Sequence, residues 1–400
     1  MHNYFYKIRT GLIIILSFYL VLGCEDFLEI GEPKNQISQS SIFRNKETAL
    51  AALADVYTGL RSKGILCGDP SGISVLLGNY SDELQSLTTQ QADFRSFYEL
   101  GVQSSSSAVA SLWSNAYQQI YEVNNIIEGV QLNRNYLDSS TANQLLGEAY
   151  FIRGLLHFYL TNIFGDIPYV VSTDYNINKN IYKTDNKEVY ALAMKDLVLA
   201  ESLLPLDYPT ASRTRANKSA AQLVMARINL YQKNWSAAKL YVSKVLANSA
   251  YTLVQDLDAV FLKDSKSAIL QWFPADTGAN TLEGQYFIFL SLPPSNFALT
   301  DSFLNSFENG DLRKSQWIKK LSNSQLSYSH PYKYKQNNKT AVSQEYSMVL
   351  RVEEAYLIAA EAENELGNLS QAKVFLNKIR SRAGLPDDTS MSVEEMRDHI

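Results

Sequence analysis

Cysteine is nearly absent: 2 residues in 400. A fold stapled by several disulfides is therefore excluded. Histidine is equally scarce, at 4, and His157, His330 and His399 show no metal-ligand spacing, so no zinc site is expected. There is no excess of positive charge: 36 Lys and Arg stand against 41 Asp and Glu, a net charge of −5. With no basic stripe, nucleic acid is not an expected partner. Low-complexity tracts are missing as well. The composition, 46% hydrophobic and 19% charged, is that of an ordinary folded protein. Long apolar runs are confined to Gly11–Leu22, about 12 residues or ~18 Å as a helix, too short for the roughly 30 Å of a bilayer core. One residue type is plentiful. Tyr numbers 25 against 4 Trp, and its flat ring with a hydroxyl suits both wet cores and recognition surfaces.

The apolar run follows Lys7 and Arg9 and ends in Val21-Leu22-Gly23-Cys24. A cationic head, a greasy segment and a small residue mark a signal peptide. The ending resembles a bacterial lipobox, which is cut before the cysteine and acylated on it. The alternative is an ordinary signal peptide with an incidental cysteine. The expected organisation is a signal peptide at 1–23, a lipid-anchored polar arm at 24–45 and a folded domain at 46–400. The lipid on Cys24 would be the one attached group. A single acyl chain anchors only marginally, so stable attachment needs two or more. Cys67 has no histidine nearby in sequence and reads as a buried, inert thiol.

Helical periodicity dominates the domain. Asn45 caps a helix running to Arg61, with Ala49, Leu53, Val56 and Leu60 on one face. Residues 64–106 read mostly as loop. Trp113, Ala116, Ile120, Val123, Ile127 and Val130 make one stripe; Leu145, Ala149, Ile152, Leu156, Tyr159 and Ile163 make another, closed by Gly165 and Pro168. Further helices are expected at about 187–204, 217–232, 236–248, 346–366 and 370–382. Small residues recur at matching offsets: Ala193/Leu197/Ala200, Ala238/Val242/Val245 and Ala372/Leu376/Ile379. That recurrence suggests tetratricopeptide-like hairpins at about 144–250 and 346–384. Between 251 and 345 the periodicity fades into short strands, long loops and one helix near Asp301–Phe307; Tyr286, Phe287 and Phe289 read as a buried strand.

The order of segments resembles a known family. Its landmarks are Trp113-x3-Tyr117-x2-Ile120-x3-Asn124-Asn125, then Glu148-Ala149-Tyr150-Phe151-Ile152-Arg153-Gly154 through Phe164-Gly165-Asp166-Ile167-Pro168. Ala220-Ala221 to Trp235-x2-Ala238, Leu350-Arg351-x2-Glu354 to Ala360-Glu361-Ala362, and Ile379-Arg380-x-Arg382-Ala383-Gly384 follow. Together they are similar to the SusD-like (RagB/SusD) lipoproteins. The resemblance implies a mainly α, tetratricopeptide-like scaffold with a loop-rich half. It implies an outer-membrane lipoprotein facing the cell exterior, which binds a glycan or oligosaccharide without cleaving it and passes it to a SusC-like TonB-dependent transporter. Glu25-Asp26 fits a surface-export signal of such proteins. The family's closing segment after the Arg-Ala-Gly tract is not found here. Ser392 and Glu395 form a capping box for a final helix with Val393, Met396 and Ile400 on its apolar face.

A sugar offers apolar C–H faces and a rim of hydroxyls, so its site needs aromatic planes beside amides or carboxylates. The loop-rich regions supply both. The candidate ligand contacts are Asn79, Tyr80, Asp82, Trp272, Tyr286 and Trp317. Tyr286 also reads as part of a buried strand, and Asp82 with Glu83 as a helix start or solvated pair. Two other functions compete. A glycoside hydrolase needs two carboxylates ~5–9.5 Å apart, and no catalytic motif is recognisable. A tetratricopeptide scaffold or peptide-binding lipoprotein would work through a concave helix face.

Overall fold

Asn45 opens the first long helix, its side chain accepting from the Glu47 and Thr48 amides. The computed structural model describes residues 39–88 and 92–400. The expected signal peptide at 1–23, Cys24 and most of the expected arm lie outside the described residues. Two units separate at Ile42. The first contributes the helix Gln39–Ile42. The second, Phe43–Ile400, holds all the other described elements.

The helices of this second unit are α1 Lys46–Lys63, α2 Ile73–Tyr80, α3 Ala92–Tyr98, α4 Ser107–Leu132, α5 Ser139–Phe164, α6 Asn186–Leu203, α7 Lys218–Tyr231, α8 Trp235–Leu246, α9 Val352–Glu365, α10 Leu369–Arg382 and α11 Val393–His399, with a few shorter turns between them. Successive helices pack against one another: α4 on α5, α5 on α6, α6 on α7, α7 on α8, α8 on α9 and α9 on α10. The fold is mainly α, a stack of helical hairpins. α5 is buried far more widely than a stripe of every third or fourth residue requires, with Leu145–Phe158 enclosed without a break. It sits between α4 and α6, and helices flanked on opposite sides need apolar residues on both.

The hairpins α7–α8 and α9–α10 repeat one turn. The Asn234 amide bonds the Asn229 carbonyl, and the Asn368 amide bonds the Glu363 carbonyl, both at 2.8 Å. The side chains brace the same way, Asn234 to Asn229 at 3.0 Å and Asn368 to Glu363 at 2.8 Å. The left-handed position is Gly367 in one turn (φ +82°) and Lys233 in the other (φ +57°). Buried ion pairs tie the layers together. Arg153 holds Asp196 through two bonds of 2.7 and 2.6 Å and donates to Asn124. Arg227 on α7 grips Glu354 on α9.

Three antiparallel strand pairs carry the loop-rich part: β1 Leu84–Ser86 with β3 Phe297–Leu299, β2 Ala268–Trp272 with β6 Ser347–Arg351, and β4 Ile318–Ser322 with β5 Ser327–Pro331. β1–β3 joins the 64–106 region to the 251–345 region. Two expectations change here. Residues 347–351 form strand before the helix begins at Val352, because β2 supplies a pairing partner that periodicity cannot reveal. Tyr286 and Phe287 end a short helix, Leu282–Phe287, which Thr281 starts by capping Gly284. The Asp301–Asn305 helix and the Ser392 cap are found as expected. Cys67 is buried, and burial pushes its thiol up to about 11, leaving it inert.

Candidate functional site

The strand β2 emerges at Trp272 and hands the chain to a loop over 273–281. That loop, a second one over 336–340 and the end of α1 enclose a hollow of about 690 Å³. Its walls are rich in amides: Asn280, Gln285, Gln336, Asn337 and Asn338. Arg61 and Asp69 add charge, and Phe273 adds an apolar plane. Phe273 is 50% exposed and rests edge-on against Tyr346 at 5.2 Å.

Asn280 staples the two loops. Its amide nitrogen donates to the Asn338 carbonyl at 2.9 Å and to Thr340 Oγ1 at 3.1 Å. Its oxygen accepts from the amides of Gln344 and Glu345 at 2.8 and 3.2 Å. The Thr340 amide bonds the Gly278 carbonyl at 2.8 Å. Gly278 has φ +76°, and a Cβ there would stand 2.1 Å from the Thr340 oxygen, so this crossing requires glycine. Arg61 donates to the carbonyls of Phe273 and Pro274 at 3.3 and 3.4 Å, fixing the start of the loop. At the rim Lys339 bonds Asp276 at 2.8 Å and holds that carboxyl below its usual range. Asp69 uses one oxygen to hold the Ser71 amide and hydroxyl. The wall thus carries a stacking face and a rim of amides, a chemistry suited to polyhydroxylated, uncharged ligands. Among the described residues no His, Cys, Asp and Glu cluster has metal-site geometry.

The residues expected from sequence are scattered. Asn79 is fully buried on α2, its amide donating back to the Val75 carbonyl at 2.8 Å, so it has no face for a ligand. Trp272 lines the hollow but is 2% exposed: it packs on Tyr57 and donates to the Leu66 carbonyl at 3.2 Å. Its role is the wall, and the stacking face belongs to its neighbour. The strand ends at Trp272, and Phe273, the next residue along, is exposed. Trp317 is also buried, donating to the Leu257 carbonyl at 2.9 Å and meeting Phe261 edge-on at 5.3 Å. It borders a second hollow, of about 500 Å³. Tyr286 lines a smaller space of about 330 Å³ that shares Asp69 with the first hollow. Tyr80 is half-exposed against Phe97, and Asp82 forms the left-handed corner before β1 (φ +61°); neither lines the amide-rich hollow. The sequence reading missed Phe273, Asn280 and the Gln336-Asn337-Asn338 run. The last was legible as an amide cluster.

Comparison with known proteins points one way. Residues 26–230 match a family model described as "Starch-binding associating with outer membrane", and residues 301–400 match the SusD family. The chain is 24% identical to SusD-like protein P25 of Formosa agariphila, across 94% of this chain and 82% of that protein. SusD-like protein P2 of the same organism is 26% identical across 61% of this chain and 46% of that protein. A crystallised SusD superfamily protein from Bacteroides vulgatus superposes with a TM-score of 0.77 at 20% identity, covering 89% of this chain and 84% of that one. Surface glycan-binding protein A from Bacteroides uniformis gives 0.75 at 17% identity, with coverage of 89% and 84%.

Proposed function

The chain belongs to the SusD family, and from that premise we propose that it binds an oligosaccharide at the cell surface and hands it, uncut, to a TonB-dependent transporter of the SusC type. The observation that carries this reading is the hollow between 273–281 and 336–340, with the open face of Phe273 set beside the amides of Gln285 and Asn337. An aromatic plane covers the C–H side of a sugar ring, while Gln285 and Asn337 can exchange hydrogen bonds with its hydroxyls. Arg61 and Asp69 orient the ends. We propose that Cys24 carries the acyl chains that hold the protein to the outer membrane. Among the described residues no helix is long and apolar enough to cross a membrane.

One carboxylate at the hollow supports a reading of binding without cleavage. A general acid needs a raised pKa, whereas Lys339 lowers that of Asp276. Weak affinity is sufficient. A millimolar site contributes about −4.1 kcal/mol, and a tethered protein keeps released ligand at high local concentration. The test is a glycan array probed with soluble protein beginning after Cys24, followed by incubation of each retained glycan and an assay for new reducing ends. Retention with no new ends supports the proposal. New reducing ends, or no retained glycan, defeat it. Loss of uptake of that glycan on deletion of the transporter tests the hand-over.

A further inference from the structure

The second hollow has a different chemistry. Its walls are the rings of Phe261, Phe287, Phe303, Phe307, Trp317 and Tyr334, and three cations open onto it: Lys333, Arg351 and Arg313. Two of them are held around one aromatic pair. Lys333 Nζ lies 5.9 Å from the Phe261 ring centre and 5.8 Å from that of Trp317, and Arg351 Cζ lies 5.0 Å from Phe261. Arg382 approaches the other side of Trp317 at 5.8 Å.

The carboxylates answer this charge only in part: Glu83 acts on Lys333 without pairing with it. Asp311 is taken by Arg313, with bonds of 2.9, 3.0 and 2.6 Å. Glu353 is taken by Arg382 at 2.5 Å and reaches Arg351 only at 4.0 Å. Arg351 Nη1 is buried with no hydrogen-bond partner. Among the described residues no carboxylate lies within ion-pair distance of Lys333, whose side chain is open to solvent within the hollow although protein surrounds it. Enclosure, with Arg351 and Arg313 nearby, lowers its pKa to about 8. Two acids remain. Glu83 is exposed, and Glu283 has one oxygen on Ser347, the other buried and unpaired, and a carboxyl raised by burial.

We infer that this hollow is a separate subsite for a sugar bearing a carboxylate, a uronate. The carboxylate would sit between Lys333 and Arg351, whose side chain is 27% exposed and lines the hollow. Charge-assisted bonds of that kind are about twice as strong as neutral ones. The sugar's C–H face would lie on the partly exposed rings of Phe287, Phe303 and Phe307, and its hydroxyls would donate to Glu83. A volume of about 500 Å³ is within the range of small-ligand sites. The cations select against a neutral sugar only through what they lose when unpaired. The aromatic walls select against a bare anion.

The experiment is calorimetric titration with digalacturonate and its uncharged counterpart, digalactose. The uronate is expected to bind about tenfold tighter or more. Lys333→Met removes that preference, Lys333→Arg keeps it, and Phe273→Ala in the other hollow leaves it unchanged. Equal binding of the two sugars, or an unaltered preference in Lys333→Met, overturns the inference. So does tetraglutamate binding as tightly as digalacturonate, which would indicate a peptide site. If Lys333→Met fails to fold, the wild-type protein decides. Acetylation of Lys333 at pH 8, followed by mass spectrometry, is slowed by digalacturonate if the inference holds and unaffected if it is wrong. Because retention of a neutral glycan depends on the first hollow, either site can fail without the other.

Discussion

Replacing Asn280 with alanine isolates the staple that shapes the amide-rich hollow. The side chain makes four hydrogen bonds of 3.2 Å or less, two donated to the 338–340 backbone and side chain and two accepted from the Gln344 and Glu345 amides, and a long fifth, at 3.5 Å, to the Gly278 carbonyl. At about 0.5–1.5 kcal/mol net for each of the four shorter bonds, their loss costs the loop pair about 2–6 kcal/mol. The effect is local, because the helical stack lies elsewhere. The assay is amide hydrogen exchange with global stability measured in parallel. Gln344 and Glu345 each lose their acceptor in Asn280→Ala, and about 1.4 kcal/mol is tenfold, so both amides should exchange roughly tenfold faster or more. Asn280→Asp is the control. It keeps the accepting oxygen, so the two amides stay protected while the bonds to Asn338 and Thr340 are lost. Affinity for the glycan should fall in both variants, since 336–340 is no longer held against 273–281. Unchanged exchange at 344 and 345 in a folded Asn280→Ala protein would refute the reasoning.

Three further outcomes are expected. Phe273→Ala should weaken glycan binding about tenfold while changing stability by less than about 1 kcal/mol, whereas Trp272→Ala should destabilise by about 3–5 kcal/mol, as titration and urea melts would show. Lys233→Gly removes a side chain from a left-handed position that its sister turn fills with Gly367. It should stabilise by about 1 kcal/mol and raise Tm by about 1–2 °C. His157 is buried and held neutral, its pKa lowered to about 3 chiefly by desolvation. Its Nδ1 meets the Arg153 carbonyl and its Nε2 accepts from the Val170 amide, a bond that protonation would break. The unfolded chain takes up a proton below about pH 6.5 and the folded one does not until about pH 3. Stability therefore falls as pH drops through that window, by up to about 1.4 kcal/mol per unit. Urea melts of His157→Gln between pH 7 and 4.5 should show a shallower fall than wild type.

The helical stack was legible because its signals are local. Asn45, Ser392 and Gly165 mark ends by backbone chemistry alone, and the α1 and α4 faces follow the helical period. Strand partners are not local. Ser347–Arg351 reads as the start of a helix until Ala268–Trp272 is placed beside it. The site was legible in kind but not in residue. Tryptophan outweighs phenylalanine as a sugar platform at 272 and 273, yet the strand turns the larger ring into the core. Asn79 reads as free in a polar stretch, but a carbonyl four residues earlier claims its amide. Asn280 has no local signal at all, because its partners lie some 60 residues away.

Where the sugar touches the protein can be read directly by hydrogen–deuterium exchange with and without a glycan retained on the array. Slowed exchange at 273–285 and 336–340, abolished by Phe273→Ala, is the expected result. Slowing confined to the helical hairpins, with those two loops untouched, would contradict the account.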